Sequence, residues 1–278
     1  MRLTVVALIA AVSLVGAASS DARLRAHRFD AAAALRWTRI QVDYGPRPAG
    51  SQASRALAQR LHSALPHSAF QPVPGGLRNV IGRVPGRDPR DVVVIGAHYD
   101  TKDIPGFLGA NDGAAGTAVA LELARHLRPH ELHATVVFAL FDGEESPDDT
   151  PDSEFEETGL RGSKVAARAY QGSRAMILLD FVGIRNLRIP REQSSSVALW
   201  ERLRAAAQRV GAEAAFPPTT GLDILDDHTP FEAVGVPSID LIDFDYPCFH
   251  KLCDDLSRVS GTSLDEVGET VLSLLPRL

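Results

Sequence analysis

Ala134-Thr-Val-Val-Phe-Ala-Leu-Phe-Asp-Gly-Glu-Glu-Ser146 is the stretch that decides the fold. Its first eight residues form a strongly apolar run, which reads as a strand buried on both faces. Asp142, Glu144 and Glu145 then set three carboxylates at the carboxyl end of that strand. Open α/β sheets bind their ligands at that edge. Core packing has no use for so much negative charge, whereas a bound cation or a proton-transfer task does; an ordinary acidic loop is the bland alternative.

Working outward, short apolar runs at 79–84, 92–95, 175–179 and 238–242 read as further strands. Helical patterns cover 29–42, capped by Asp30, and 51–64, capped by Ser51. Others run over 113–127, 163–170, 197–210 and 263–275. Tyr44-Gly-Pro-Arg-Pro48 is a breaker, and Pro85-Gly-Arg-Asp-Pro89 is a turn. Residues 146–158 are polar and acidic without periodicity and read as a long loop, a feature that in compact domains is usually functional or disordered. Strands alternating with helices predict an α/β sandwich with a mainly parallel sheet. With no internal repeat and no linker, residues 21–278 are expected to form one domain.

The chain of 278 residues is long enough for one large core, and 45% hydrophobic with 23% charged residues is ordinary for a globular protein. A net charge of −6 argues against a nucleic-acid surface and fits a small-molecule or peptide site better. Arg2, the apolar stretch from Leu3 to Gly16 and the small residues Ala17-Ala18-Ser19-Ser20 read as a secretory signal over residues 1–20. The apolar stretch is short for a membrane span, so the mature chain is expected to be exported, periplasmic or secreted, with no stable membrane insertion after cleavage. The two cysteines, Cys248 and Cys253, bracket His250; they could pair in an oxidising compartment or remain free.

One pattern repeats along the chain. The strand at 92–95 runs into His98-Tyr-Asp100, and the strand at 134–141 into Glu144-Glu145. The strand at 175–179 ends at Asp180, and the strand at 238–242 is followed by His250. Asn111-Asp112-Gly113 lies in the loop after Asp100. Four strand ends thus deliver His or carboxylate to one edge of a sheet, and His nitrogen with Asp or Glu oxygen is a zinc donor set.

Together His98-Tyr-Asp100, Asn111-Asp112-Gly113, Asp142-Gly-Glu-Glu145, Leu179-Asp180, Asp227-His228 and His250 resemble the M28 zinc-peptidase superfamily, over roughly residues 75–275. That group includes secreted aminopeptidases and glutaminyl-peptide cyclotransferases. The resemblance implies a three-layer α/β sandwich: a mixed, mostly parallel sheet flanked by helices, as in zinc exopeptidases. It also implies Zn2+. In the aminopeptidases two ions are expected, with Asp112 bridging, His98 and Asp180 completing one site, and Glu145 and His250 the other. In the animal-type cyclotransferases only the site of Asp112, Glu145 and His250 is filled. In both, Glu144 moves the proton. The peptide after Asp112 is often cis in this superfamily.

Several features resemble the cyclotransferase branch: His98-Tyr-Asp-Thr-Lys102, Asp226-Asp-His-Thr-Pro-Phe231, Asp254-Asp255 after His250, and the 16 residues from Ser146 to Arg161 that intervene before Gly162-Ser163. Others depart from it. Phe249 stands where a Trp is expected, the insertion has no Trp, Ala97 and Thr117 replace a cysteine pair, and Asp240 replaces a histidine. The favoured reading is a zinc-dependent enzyme that converts the N-terminal glutamine of peptides or proteins to pyroglutamate with release of ammonia. Glu144, Asp180 and Asp226 would handle protons there, and Phe249 would wall the pocket. A di-zinc aminopeptidase acting on N-terminal peptide bonds is the alternative, and a degenerate M28 fold used as a binding module is a third. The oligomeric state is open.

Beside these roles, Asp100 is expected to accept a hydrogen bond from His98 and orient it. His228 is expected to start and cap a helix at Thr229-Pro230 rather than bind metal. Asp103, Asp148 and Asp149 read as solvated loop charges, His126, His130 and His133 as surface residues, and Trp37 and Trp200 as packing residues.

Overall fold

The computed structural model describes residues 28–147 and 150–278. The expected leader, Asp148 and Asp149 lie outside the described residues. Among the described residues no helix is long and apolar enough to cross a membrane.

The sheet is built from β1 (Ala69–Val73), β2 (Leu77–Val84), β3 (Asp88–His98), β4 (Ala134–Phe141), β5 (Ala175–Leu179) and β6 (Ser238–Leu241). Their order is β1-β2-β4-β3-β5-β6. The first two pairings are antiparallel; β4, β3, β5 and β6 run parallel. The sheet is therefore mixed and mostly parallel, as expected. β1 was not expected: Gln71 and Pro72 interrupt its apolar pattern, and a proline without an N–H is tolerated because this is an edge strand.

The apolar runs are continuous because both faces of the sheet are covered, and period-two alternation sorts them. Val136, Phe138 and Leu140 of β4 face one cluster, with Val93, Ile95 and Ala97 of β3. Val137, Ala139 and Phe141 face the other, with Val94, Met176 and Leu178. The first face is covered by α1 (Ala31–Val42), α2 (Gln52–Ala64), α3 (Gly116–His126), α6 (Val197–Val210) and α8 (Gly261–Leu274). The second is covered by α5 (Arg161–Ala169) and α7 (Thr229–Ala233). α4 (Phe155–Thr158) is a single turn inside the segment expected to be wholly loop. Asp30 and Ser51 cap α1 and α2 as expected, each accepting from the N–H three residues on.

Register carries the ends of the parallel strands to one edge. His98 pairs with Phe141 across β3 and β4, and Leu179 pairs with Leu241 across β5 and β6. The chain moves from β3 to β4 on one side and to β5 on the other, so the crevice opens where the direction of winding reverses. α3 was expected to begin at Gly113, but it begins at Gly116. The preceding turn is broken at Asp112 (φ −80°, ψ 102°) and Gly113 (φ 84°), a left-handed conformation that favours glycine. The Asp112–Gly113 bond is trans, contrary to what the resemblance implied.

Candidate metal centre and active site

Two groups of donors meet at the carboxyl edge, and Asp112 belongs to both. His98 Nε2 lies 3.3 Å from Asp112 Oδ1 and 3.3 Å from Asp180 Oδ1. His250 Nε2 lies 3.0 Å from Glu145 Oε1 and 3.6 Å from Asp112 Oδ2. Within each group the donor atoms lie within 4.8 Å of one another. Asp112 Oδ2 is buried without a hydrogen-bond partner. A buried carboxylate oxygen left so is costly unless a cation completes it, and the nitrogen and oxygen donors suit zinc. The residues present therefore fit the ion.

Supporting groups fix the broken turn that carries Asp112. The carboxylate of Asp254 accepts from the N–H groups of Asn111 (2.8 Å) and Asp112 (3.1 Å), and from the Tyr246 hydroxyl (2.6 Å). Its own carboxyl is pushed up to about 6, chiefly by burial and then by the nearby charge of Asp112. Arg47, fully buried, donates to the carbonyl oxygens of Tyr99 and Gly109 and thereby ties the loop after β3 to the turn before α3. Read from the sequence, Arg47 was only part of a breaker. Its one signal is that an arginine between two prolines has so few conformations that a fixed role is natural.

The acidic strand end divides. Asp142 turns away from the crevice: it accepts from Ser54 Oγ (3.1 Å) and Arg78 N–H (3.1 Å), and burial pushes its carboxyl up to about 6. The expectation of three carboxylates at one site is thus corrected to two. Glu145 faces His250 on one oxygen and Lys102 Nζ, 3.4 Å away, on the other. Burial works to raise its carboxyl, but His250 and Lys102 outweigh it and hold it low. Glu144 is pushed well above the ordinary range by burial and by the charge of Glu145. The two neighbours are thus shifted in opposite directions by their surroundings.

Asp100 serves the glutamates more than His98. Its carboxylate accepts from the N–H groups of Glu144 and Glu145, both at 3.3 Å, while His98 Nδ1 stands 3.7 Å off, beyond hydrogen-bond length. The insertion after the pair returns onto it: Leu160 N–H donates to Glu144 O, Arg161 N–H to Gly143 O, and Arg161 Nη2 to Glu145 O.

A cavity of about 340 Å³ opens on this edge. Asp112, Glu145 and His250 line it, as do Glu144, Asp180 and Asp226. His98, only 1% exposed, does not. Burial pushes the Asp180 carboxyl up to about 7, against the pull of His98, and burial also raises Asp226. One Asp226 oxygen accepts from Asp227 N–H, and the other is buried without a partner. Phe249 stacks on His250 with ring centroids 3.9 Å apart, and Phe244 and Phe181 pack beside it. Phe155, from the insertion, lines the cavity as well, a wall residue that the search for a tryptophan missed. Cys248 and Cys253 are joined in a disulfide that closes the loop holding His250, itself at φ 50°.

His228 stands at the N-cap position of α7 and outside both donor groups, as expected, but its side chain makes no capping bond. Its Nε2 faces Glu192 (3.4 Å) and Ser194 Oγ (3.1 Å), and its Nδ1 faces Asp240 at 3.7 Å. The buried carboxylate of Glu192 takes the side chain that the helix end was expected to use.

The sequence model of peptidase family M28 matches residues 79–275, and the chain belongs to that family. It is 28% identical to aminopeptidase YwaD of Bacillus subtilis, over 78% of this chain and 47% of that one. It is 31% identical to a probable zinc metalloprotease of Leptosphaeria maculans, over 60% of this chain and 47% of that one. The chain thus spans about half the length of these curated relatives. The glutaminyl cyclase of Porphyromonas gingivalis superimposes with a TM-score of 0.78 at 28% identity, covering 91% of this chain and 99% of that one.

Proposed function

We propose that this M28-family chain is an exported, zinc-dependent glutaminyl-peptide cyclotransferase acting on the N-terminal glutamine of peptides. The observation that carries this reading is the division of the cavity wall. Asp112, Glu145 and His250 line one cavity together with Glu144, Asp180 and Asp226, whose carboxyls burial raises, while His98 is withdrawn from it. In this reading the ion held by Asp112, Glu145 and His250 faces a cluster of acids, which suits cyclisation.

Zinc bound by Asp112, Glu145 and His250 would supply a Lewis acid for the side-chain amide carbonyl of the substrate. The substrate's own α-amine is the nucleophile, so both reacting groups arrive in one residue and orientation needs little from the protein. Glu144 takes a proton from the α-amine as its nitrogen bonds to the amide carbon. It returns that proton to the amide nitrogen as the carbon–nitrogen bond breaks and ammonia leaves. Its raised affinity for protons, set by burial and by Glu145, suits both halves of the transfer. Asp180 and Asp226 hold the leaving nitrogen and share protons with Glu144. The aromatic wall of Phe249 and Phe155 keeps water from competing.

One observation favours the second reading, a di-zinc aminopeptidase: His98, Asp112 and Asp180 converge as closely as the other group. The deciding experiment measures zinc per chain alongside turnover of Gln- and Leu-amides. One zinc with ammonia release supports cyclisation; two zincs with leucyl hydrolysis and no ammonia from glutaminyl substrates overturn it.

A further inference from the structure

Exposed large apolar side chains are few among the described residues, and four of the six line the cavity. Among the described residues they are Val197, Leu222, Leu225, Phe244, Phe249 and Leu252. Leu222, Leu225, Phe244 and Phe249 line the cavity, and Leu252 lies two residues beyond His250. A patch of this kind marks a surface that something covers.

The cavity does not end at that collar. A second cleft of about 620 Å³ shares a wall with it, formed by Leu222, Ile224, Ile242 and Phe244. Phe244 stands between the two and packs on Phe181 and Phe249, whose ring lies on His250. Beyond Phe244 the lining adds charged and polar groups, Arg185, Arg188, Glu192, Thr219, Asp243 and Asp245, to an apolar wall that continues through Ile184, Pro190 and Pro217. Two of these acids are committed within the protein. Glu192 accepts from Ser194 and Ser195 and faces His228, and Asp243 accepts from the Arg188 N–H. Arg185 and Arg188 are exposed and form no salt bridge among the described residues. Arg185 and Arg188 share the rim with Asp243 and Asp245, so it carries both signs.

We propose that the second cleft binds the peptide chain beyond the substrate's second residue, with Phe244 as the divider that receives an apolar second side chain. This rests on the reading of the first cavity as the seat of a peptide's N-terminal residue. The preferred substrate class is then an oligopeptide or a protein N-terminus rather than a dipeptide. A chain leaving the first cavity past Phe244 runs extended into a cleft large enough for two further residues. The apolar collar gives way to groups that can meet backbone amides and charge.

The test measures binding and chemistry separately. Calorimetry on zinc-loaded Glu144→Gln protein compares Gln-Phe-amide, Gln-Phe-Ala-Ala-amide and Gln-Phe-Ala-Glu-amide. The longer amides bind about tenfold more tightly than the shortest. The glutamyl peptide binds within about twofold of the alanyl one, because the rim carries both signs and exposed pairs are weak. Thr219→Trp fills the cleft without touching the first cavity; it abolishes the gain with length and leaves the dipeptide amide unaffected, and Arg185→Trp is the second plug. Equal affinity at all lengths overturns the proposal, as does a gain that survives both plugs. Wild-type turnover is assayed in parallel on the Gln series and a matched Leu series. Length-dependent binding without ammonia release rejects the cyclotransferase and leaves the groove standing; no binding by any peptide overturns both.

Discussion

Arg47 Nη2 donates to the carbonyl oxygen of Gly109 at 2.8 Å. With the bond from Arg47 Nε to Tyr99 O, it ties the residue after His98 to the turn that carries Asp112, and the guanidinium is buried away from water. Replacing Arg47 by Ala strands several carbonyl oxygens in the interior. Hydrogen bonds to charged groups are worth about 1.5–3 kcal/mol each, so Arg47→Ala is expected to cost at least about 3 kcal/mol. Denaturant unfolding measures this, and a loss under about 0.5 kcal/mol, the range of ordinary surface substitutions, contradicts it.

Glu144→Gln keeps the shape of the side chain and removes its proton chemistry. Turnover should fall by roughly two to four powers of ten, the contribution of a positioned acid–base group, with zinc content unchanged. Retained turnover would remove Glu144 from its role.

Glu145→Gln and His250→Ala each take a donor from the group that lines the cavity. Both variants should bind zinc far more weakly, and chelation of the wild type should abolish turnover and lower its melting temperature, since a ligand bound only by the folded state stabilises it. Full zinc occupancy in either variant refutes the ligand assignment.

His98→Ala separates the two readings of metal number. With one working zinc, content stays at one per chain and turnover drops only modestly through the loosened loop. A halved metal content with lost turnover identifies a two-metal enzyme instead.

The pairing of Glu192 with His228 predicts a pH dependence of stability. Burial works to raise the Glu192 carboxyl, but His228 and the Ser194 and Ser195 donors outweigh it and hold it far below its ordinary 4.5. Burial works to lower His228, but Glu192 and Asp226 raise it above 6.5. The depressed acid contributes stability above its unfolded value and loses it as pH falls. The raised base contributes below its unfolded value and loses it as pH rises. The pair is therefore worth most between about 4.5 and 6.5. Glu192→Gln should destabilise more at pH 6 than at pH 9, measured by denaturant midpoints; an equal loss at both excludes the pair as a charged unit.

The strands that carry the site were legible because an apolar run followed by a charge is a strong local signal. β4 and β5 begin and end where their side chains say they should. What stayed hidden depends on contacts distant in sequence. Asp142 and Glu144 are alike as letters, yet Ser54 and Arg78, far back in the chain, draw the first out of the site. His228 stands before a proline like a cap, but Glu192, 36 residues away, supplies a stronger partner than the helix N-terminus. Asp100 was placed beside His98 correctly, but the amides of Glu144 and Glu145 take its oxygens. β1 failed for the reason edge strands often do: with one neighbour, its sequence is held to a weaker pattern.

Asp112 turns one oxygen to His98 and the other to His250, which has an evolutionary consequence. If both groups hold ions, loss of the shared aspartate would dismantle both in one step, whereas loss of an unshared donor would remove one. In a one-ion enzyme using Asp112, Glu145 and His250, His98 is the donor free to drift, since Asp180 keeps its proposed proton work. Related proteins that differ in bond specificity are then expected to differ first at His98 and to agree at the shared aspartate.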